Sequence, residues 1–316
     1  MNSNGPSIPF LASPRVAVLG TGIMGAPIAV NLARSGLAVS AWNRSSAKAT
    51  ALAGEGIEVA TSASAATMAA DVVILMLSDG AACDGVLLEV APALSQDAIV
   101  VVMSSIDVQR ARDQAAWLDR LGIVYVDAPV SGGERGAIDA DLTIMAGGSA
   151  DAIARLGPLF EVLGHVTHVG PVGCGQLAKL ANQLIVGATI AAVAEALLLI
   201  SAAGGDPMAT HTALQGGFAD SRVLREHGAR MLARNFRPGA HITTQLKDLR
   251  SSAALAQGLG LDLPLTRQAE RLFTGAVERG DGQLDHSAVL LTLEALCPAT
   301  AALAQLIPTS GDLRCD

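Results

Sequence analysis

Aromatic residues, charge and cysteine are all scarce in this chain. Two Trp, one Tyr and five Phe occur among 316 residues, so a core must be assembled from Ala, Val, Leu and Ile. Charged residues make up only 16% against 51% hydrophobic ones, a balance that excludes intrinsic disorder. The four cysteines, Cys83, Cys174, Cys297 and Cys315, are widely scattered and form no C-x-x-C pair. This argues against a disulfide framework and a zinc ribbon, and fits a reducing, cytoplasmic compartment. The net charge is −8 with no basic block, so nucleic acid is not an expected partner. A clean run of about 20 apolar residues is also missing. The longest candidate, 181–203, is interrupted by Asn182, Gln183 and Glu195. It reads as a buried helix in a protein interface, and no membrane partner is expected. Residues 1–14 carry no basic residue ahead of an apolar run and do not resemble a secretory signal. They read as a flexible N-terminal extension.

What is present divides into two textures, and the length suffices for two domains of ordinary size. From 15 to 171, short β-branched runs alternate with stretches of helical spacing. The runs 15–19, 38–42, 72–77, 99–103 and 123–127 read as buried strands. A strand at 141–146, a helix at 149–163 and a strand at 166–169 read as a final β-α-β extension. Such alternation implies a mostly parallel, doubly wound sheet. After Gly170-Pro171 strand signals vanish. A long apolar helix is expected from about 172 to 203, ending at Gly204-Gly205-Asp206-Pro207. Further helices are expected at 207–214, 220–230, 241–258, 264–279 and 285–305. The reading is an α/β domain at 15–171, an all-α domain at 172–306 joined by the long helix, and a tail at 307–316.

The first strand runs into Gly20-Thr21-Gly22-Ile23-Met24-Gly25. This is G-x-G-x-x-G between a strand and a helix, the context that makes the pattern specific. Gly20 permits the tight turn, Gly22 lets the backbone approach a pyrophosphate, and Gly25 lets the helix pack on the strand. The phosphates would sit on N–H groups at the helix N-terminus, beside Ile23 and Met24. The bland alternative is a glycine-rich turn without a ligand. A Rossmann-type dinucleotide domain is therefore expected. The second strand ends in Asn43-Arg44-Ser45-Ser46 without the carboxylate that usually holds an NAD ribose. Arg44 would pair with a 2′-phosphate, with Asn43 and Ser45 beside it. NADP is preferred on this reading and NAD remains possible; Arg44 could instead only stack on the adenine. Leu77 and Ser78 after the strand at 72–77, and Ser105 after the strand at 99–103, are further cofactor candidates, with helix capping as the simple alternative.

Four segments together resemble the β-hydroxyacid dehydrogenases. They are the glycine fingerprint, Asp127-Ala128-Pro129-Val130-Ser131-Gly132-Gly133, the segment Gly170 to Gln183, and Lys247-Asp248-Leu249. This family includes 3-hydroxyisobutyrate dehydrogenase, tartronate semialdehyde reductase and glyoxylate/succinic semialdehyde reductase. The resemblance implies an oxidoreductase that interconverts a small β-hydroxy acid and its semialdehyde or oxo acid. Ser131, Gly132 and Gly133 would bind the substrate carboxylate through exposed N–H groups. Lys179 would be the general acid and base; a lysine snorkelling out of its helix is the bland alternative. Asn182 and Gln183, three and four residues on, would orient the substrate, and Lys247 would reach the cofactor. The active site would lie in the cleft between the domains. Lys-Leu-Ala-Asn-Gln at 179–183, the segment 234–239 and Asp285-His286-Ser287-Ala288 are similar to tartronate semialdehyde reductases. Trp42-Asn43-Arg44-Ser45 and Met76-Leu77-Ser78-Asp79 look more like glyoxylate/succinic semialdehyde reductases. One departure stands out: the family's Gly-Thr-Leu is Ala140-Asp141-Leu142 here.

An imine reductase, or a non-catalytic NADP-binding module, would share the architecture. Lys179 and the Ser131-Gly132-Gly133 loop count against the first, and the lysine also against the second. No metal is expected: His165 and His168 fall on a strand at a spacing that points them to opposite faces. His211, His227, His241 and His286 read as isolated surface or capping residues, and Cys174 as a small buried residue. The apolar helical faces imply a homodimer or homotetramer.

Overall fold

The computed structural model describes residues 13–297. The proposed N-terminal extension, the tail and the end of the helix expected at 285–305 lie largely or wholly outside these residues. Two compact units are present, one through Lys179 and one from Leu180. Their boundary falls inside the long helix rather than at the Gly170-Pro171 break.

The first unit holds nine strands: β1 Val16–Leu19, β2 Val39–Trp42, β3 Glu58–Val59, β4 Val72–Leu75, β5 Ile99–Val102, β6 Val124–Asp127, β7 Val130–Ser131, β8 Leu142–Gly147 and β9 Gly164–Gly170. The sheet order is β3-β2-β1-β4-β5-β6-β8-β7, with β9 on β8. The first six strands are parallel. β8 runs antiparallel to β6 and β7 and parallel to β9. Seven helices alternate with the strands: α1 Gly25–Arg34, α2 Ser46–Thr50, α3 Ala63–Thr67, α4 Gly80–Val90, α5 Val108–Asp119, α6 Gly133–Ile138 and α7 Ala150–Glu161.

The central strands carry apolar side chains on both faces because helices cover both. Val16, Val18, Val72, Ile74, Ile99 and Val101 pack with Ile28 and Leu32 of α1 and Leu156 and Phe160 of α7. The alternate residues Ala17, Leu19, Val73, Leu75, Val100 and Val102 pack with Leu87 of α4 and Leu118 of α5. Period-2 alternation thus feeds two separate cores, the mark of a doubly wound sheet.

The long helix, α8 Cys174–Ala202, leaves this unit and enters the second. There follow α9 Pro207–Leu214, α10 Ala229–Leu232, α11 Ile242–Gly258, α12 Pro264–Glu278 and α13 Val289–Leu296. Single turns at Leu224–Gly228 and His286–Ala288 are of π and 3-10 type. Ile190, Ala194 and Leu197 of α8 pack with Leu246 and Leu249 of α11 and Phe273 of α12. α8 is long and apolar enough, by length and composition, to cross a membrane, yet a third of its most apolar window is buried within the chain.

Candidate active site

The register of the parallel strands builds the site. Leu19 pairs with Trp42 on one side and Leu75 on the other, Leu75 pairs with Val102, and Val102 with Asp127. These residues end their strands, so the segments after β1, β2, β4, β5 and β6 leave from one carboxyl edge. Backbone bonds continue past the strand ends, from Gly20 N to Trp42 O, Met76 N to Leu19 O, and Met103 N to Leu75 O. Ligands bind at this edge in open α/β sheets.

The glycine fingerprint has the geometry its motif requires. Gly20 has φ +103°, and a Cβ there would sit 2.3 Å from Met76 O. A Cβ on Gly25 would sit 1.8 Å from Gly20 O, so α1 approaches the turn as only glycine allows. A Cβ on Gly22 would meet nothing within 4 Å, which leaves that side of the loop open to a ligand. Met24 precedes α1 without a side-chain cap, and the first turn carries no acidic residue. The Thr21 hydroxyl is buried without a hydrogen-bond partner, an orphan that a phosphate oxygen would satisfy. These features fit a dinucleotide pyrophosphate. Ile23 is exposed at the turn.

Asn43 braces the loop: its Oδ1 accepts from Thr21 N at 3.0 Å, and its Nδ2 donates to Ser45 O at 3.1 Å. Arg44 and Ser45 are exposed after β2, and no carboxylate stands between Trp42 and Ala47. Leu77 N donates to the Ser104 hydroxyl at 2.7 Å. Ser78 caps no helix with its hydroxyl, which donates to Asp79 instead, and Asp79 caps α4. Ser105 is half-buried next to Ser104.

Ser131 ends β7, and Gly132 and Gly133 follow with φ +137° and +62°. The predicted loop is therefore a strand end turning into α6. All three residues are partly accessible, with no side chain on the two glycines to cover their amides.

α8 begins at the same sheet edge, because Asp127 at the end of β6 accepts from Gly173 N and Gln176 N. Lys179 lies one turn further along and is half-buried. In the second unit, Asn182 is half-buried and its Nδ2 donates to Gln183 Oε1. Gln183 itself is buried: its Nε2 donates to Gln245 Oε1 and Asp248 Oδ2 of α11. Gln183 thus ties α8 to α11, while Asn182 is the more accessible of the two. Lys247 pairs with Asp248 at 3.2 Å.

Two features escaped the sequence reading. Asp127 and Gln176 both lie in quoted motifs without an assigned role, yet each is fully buried. A carboxylate closing an apolar strand, and an amide in the first turn of an apolar helix, were the available signals. Three of the histidines, His211, His227 and His286, were also misread as isolated surface or capping residues. His286 and His211 are each only 6% exposed, and the rings of His286 and His227 stack 5.9 Å apart beside Asp285. The pairing joins residues 59 apart in sequence, beyond any local pattern. Among the described residues, no group of three or more His, Cys, Asp or Glu could hold a metal ion.

Sheet topology and fingerprint together define a dinucleotide-binding protein of Rossmann type. Residues 15–170 match the NAD binding domain of 6-phosphogluconate dehydrogenase, and residues 173–293 match the NAD-binding domain of NADP-dependent 3-hydroxyisobutyrate dehydrogenase. The chain is similar to 2-hydroxy-3-oxopropionate reductase of Escherichia coli K12, at 41% identity over 89% of this chain and 97% of that protein. It is 33% identical to a probable 3-hydroxyisobutyrate dehydrogenase-like protein of Arabidopsis thaliana, over 90% of this chain and 86% of the relative. Mycobacterium tuberculosis 3-hydroxyisobutyrate dehydrogenase, solved with L-serine, superposes with a TM-score of 0.82 at 29% identity, covering 89% and 99% of the two chains. The chain belongs to the β-hydroxyacid dehydrogenase family. It is an NAD(P)-dependent dehydrogenase of small hydroxy acids.

Proposed function

We propose that this enzyme reduces tartronate semialdehyde (2-hydroxy-3-oxopropionate) to glycerate with NADPH, using Lys179 as general acid. The observation that carries the reading is the origin of α8. The helix bearing Lys179 starts at the sheet edge that also carries the glycine fingerprint. Arg44 supports NADPH: it is an exposed guanidinium where an NAD site would present a carboxylate. The likeness to the Escherichia coli reductase supports the substrate.

Bound NADPH would supply the hydride to the carbonyl carbon. The accessible amides of Gly132 and Gly133 and the Ser131 hydroxyl hold the substrate carboxylate. The Lys179 ammonium donates a proton to the carbonyl oxygen as negative charge develops there. In the oxidative direction its neutral amine takes the hydroxyl proton. Asn182 orients the substrate, and Lys247 contacts the cofactor.

A second reading, reduction of glyoxylate or succinic semialdehyde, is favoured by the residues after β2 and β4, Trp42-Asn43-Arg44-Ser45 and Met76-Leu77-Ser78-Asp79. Comparing kcat/KM across tartronate semialdehyde, succinic semialdehyde, glyoxylate, 3-hydroxyisobutyrate and L-serine with each cofactor separates the two. Tartronate semialdehyde with NADPH should lead by about 10-fold or more, a margin that a few well-placed polar contacts supply. Arg44→Asp should erase the NADPH preference. A lead for glyoxylate or succinic semialdehyde, or an unchanged cofactor preference in Arg44→Asp, contradicts the corresponding half of the proposal.

The enzyme is further proposed to act as a homo-oligomer built on α8. Ala181, Ile185, Ala192, Ala196 and Leu199 are exposed at helical spacing on the side away from its buried residues. Glu195 is the only charge on this stripe, so a second copy of the same apolar face fits it.

A further inference from the structure

α8 lacks a local cap, because the residue before it is Gly173, which has no side chain to offer. Five other helices are capped by their own preceding residue: Ser62, Asp79, Asp107, Ser149 and Asp206. The cap of α8 comes instead from the end of β6. Asp127 Oδ1 accepts from Gly173 N at 2.7 Å, and Oδ2 accepts from Gln176 N at 2.8 Å. Burial pushes the Asp127 carboxyl up to about 6, against the opposing pull of these amides. Space for it depends on Gly175, where a Cβ would lie 2.5 Å from Asp127 O and 2.8 Å from Oδ2.

Gln176 fastens the same turn to the segment after β5. Its Oε1 accepts from Ile106 N at 3.0 Å and its Nε2 donates to Ser104 O at 2.9 Å. The Ser104 hydroxyl accepts from Leu77 N and donates to Leu75 O. A continuous chain of hydrogen bonds therefore runs from the end of β4, through the segment after β5, to the first turn of α8. An ordinary local cap would stabilise the helix without registering it to the sheet. Here two backbone amides and one side chain of a single turn are held, which fixes both the axial position and the rotation of the helix. Rotation matters because each residue turns the helix by about 100°, and Lys179 lies three residues after Gln176. The lysine stem is flexible, so its Cα position is what the fold can set, and small misplacements of a catalytic group cost much rate.

We propose that Asp127 and Gln176 are positioning residues for the reduction: they lock the first turn of α8 to the ends of β4, β5 and β6 and so set where Lys179 presents its ammonium. This inference rests on Lys179 as proton donor. Neither residue needs to touch substrate or cofactor.

The test uses the full-length enzyme and three readouts: steady-state kinetics, the dissociation constant of NADPH, and the acylation rate of each lysine by mass spectrometry. Only Lys48, Lys179 and Lys247 occur in the chain, so each is resolved. Gln176→Met preserves length and removes both side-chain bonds. It should lower kcat by about 10–100-fold, leave the NADPH dissociation constant within about twofold, and change the acylation rate of Lys179 relative to Lys48. Asp127→Asn, which replaces one acceptor by a donor facing an amide, should act in the same direction. Gln114→Met is the control for burial. Gln114 is a buried amide that bonds to Asp84 and Tyr125, remote in its bonding from α8. It should lower the melting temperature without altering kcat or Lys179 acylation. A folded Gln176→Met enzyme with parental kcat and parental Lys179 acylation overturns the proposal, and should it fail to fold, Asp127→Asn and Gln176→Glu are judged by the same readouts. If Lys179→Ala keeps its turnover, the lysine mechanism fails. The acylation readout still decides separately whether the clamp positions the side chain.

Discussion

Single residues decide the chemistry, and two of them sit in unusual settings. Lys179 is half-buried on a mostly apolar helix, where a charged amine persists only with a partner or a task. Ala140 shows strain of a different kind. Its φ is +56°, in the left-handed region where a Cβ costs roughly 1–2 kcal/mol. Ala140→Gly should therefore stabilise the fold by about 1 kcal/mol, allowing for the greater entropy that glycine loses on folding. Chemical denaturation checks this, since the midpoint should rise at constant slope. An unchanged or lower midpoint would mean that the turn already accommodates alanine without strain.

At the scale of elements, legibility followed the length of the pattern. β4 and β5 are unbroken β-branched or aliphatic runs, and α9 and α11 have breakers at both ends; all four were placed within two residues. β3 and β7 have only two residues each, too few to show alternation, and both were missed. The fingerprint loop was readable because its residues are contiguous in sequence. The trans cap by Asp127 and the stack of His227 on His286 were not, because each joins segments that only tertiary packing brings together. The expected helix at 220–230 contains a π-type turn, which no 3.6-residue pattern can show. α8 was anticipated as a long apolar helix, and its outward stripe yields an elemental prediction. Replacing Ile185 and Leu199 together by Asp should turn an oligomer into a monomer, read by light scattering on a sizing column. A monomeric parent enzyme would contradict the assigned use of this face.

For the whole molecule, one unit supplies an edge of loops fit for a dinucleotide, and one helix carries Lys179, the proposed proton donor, out of that edge. The central claim is that this lysine, not the cofactor site alone, makes the protein a reductase. The most direct measurement compares Lys179→Ala with the parent in NADPH-dependent reduction of tartronate semialdehyde, with NADPH binding measured separately. The account predicts a fall in kcat of about 10²–10⁴-fold, the usual share of general acid catalysis, with the NADPH dissociation constant nearly unchanged. Turnover within a few-fold of the parent would contradict it.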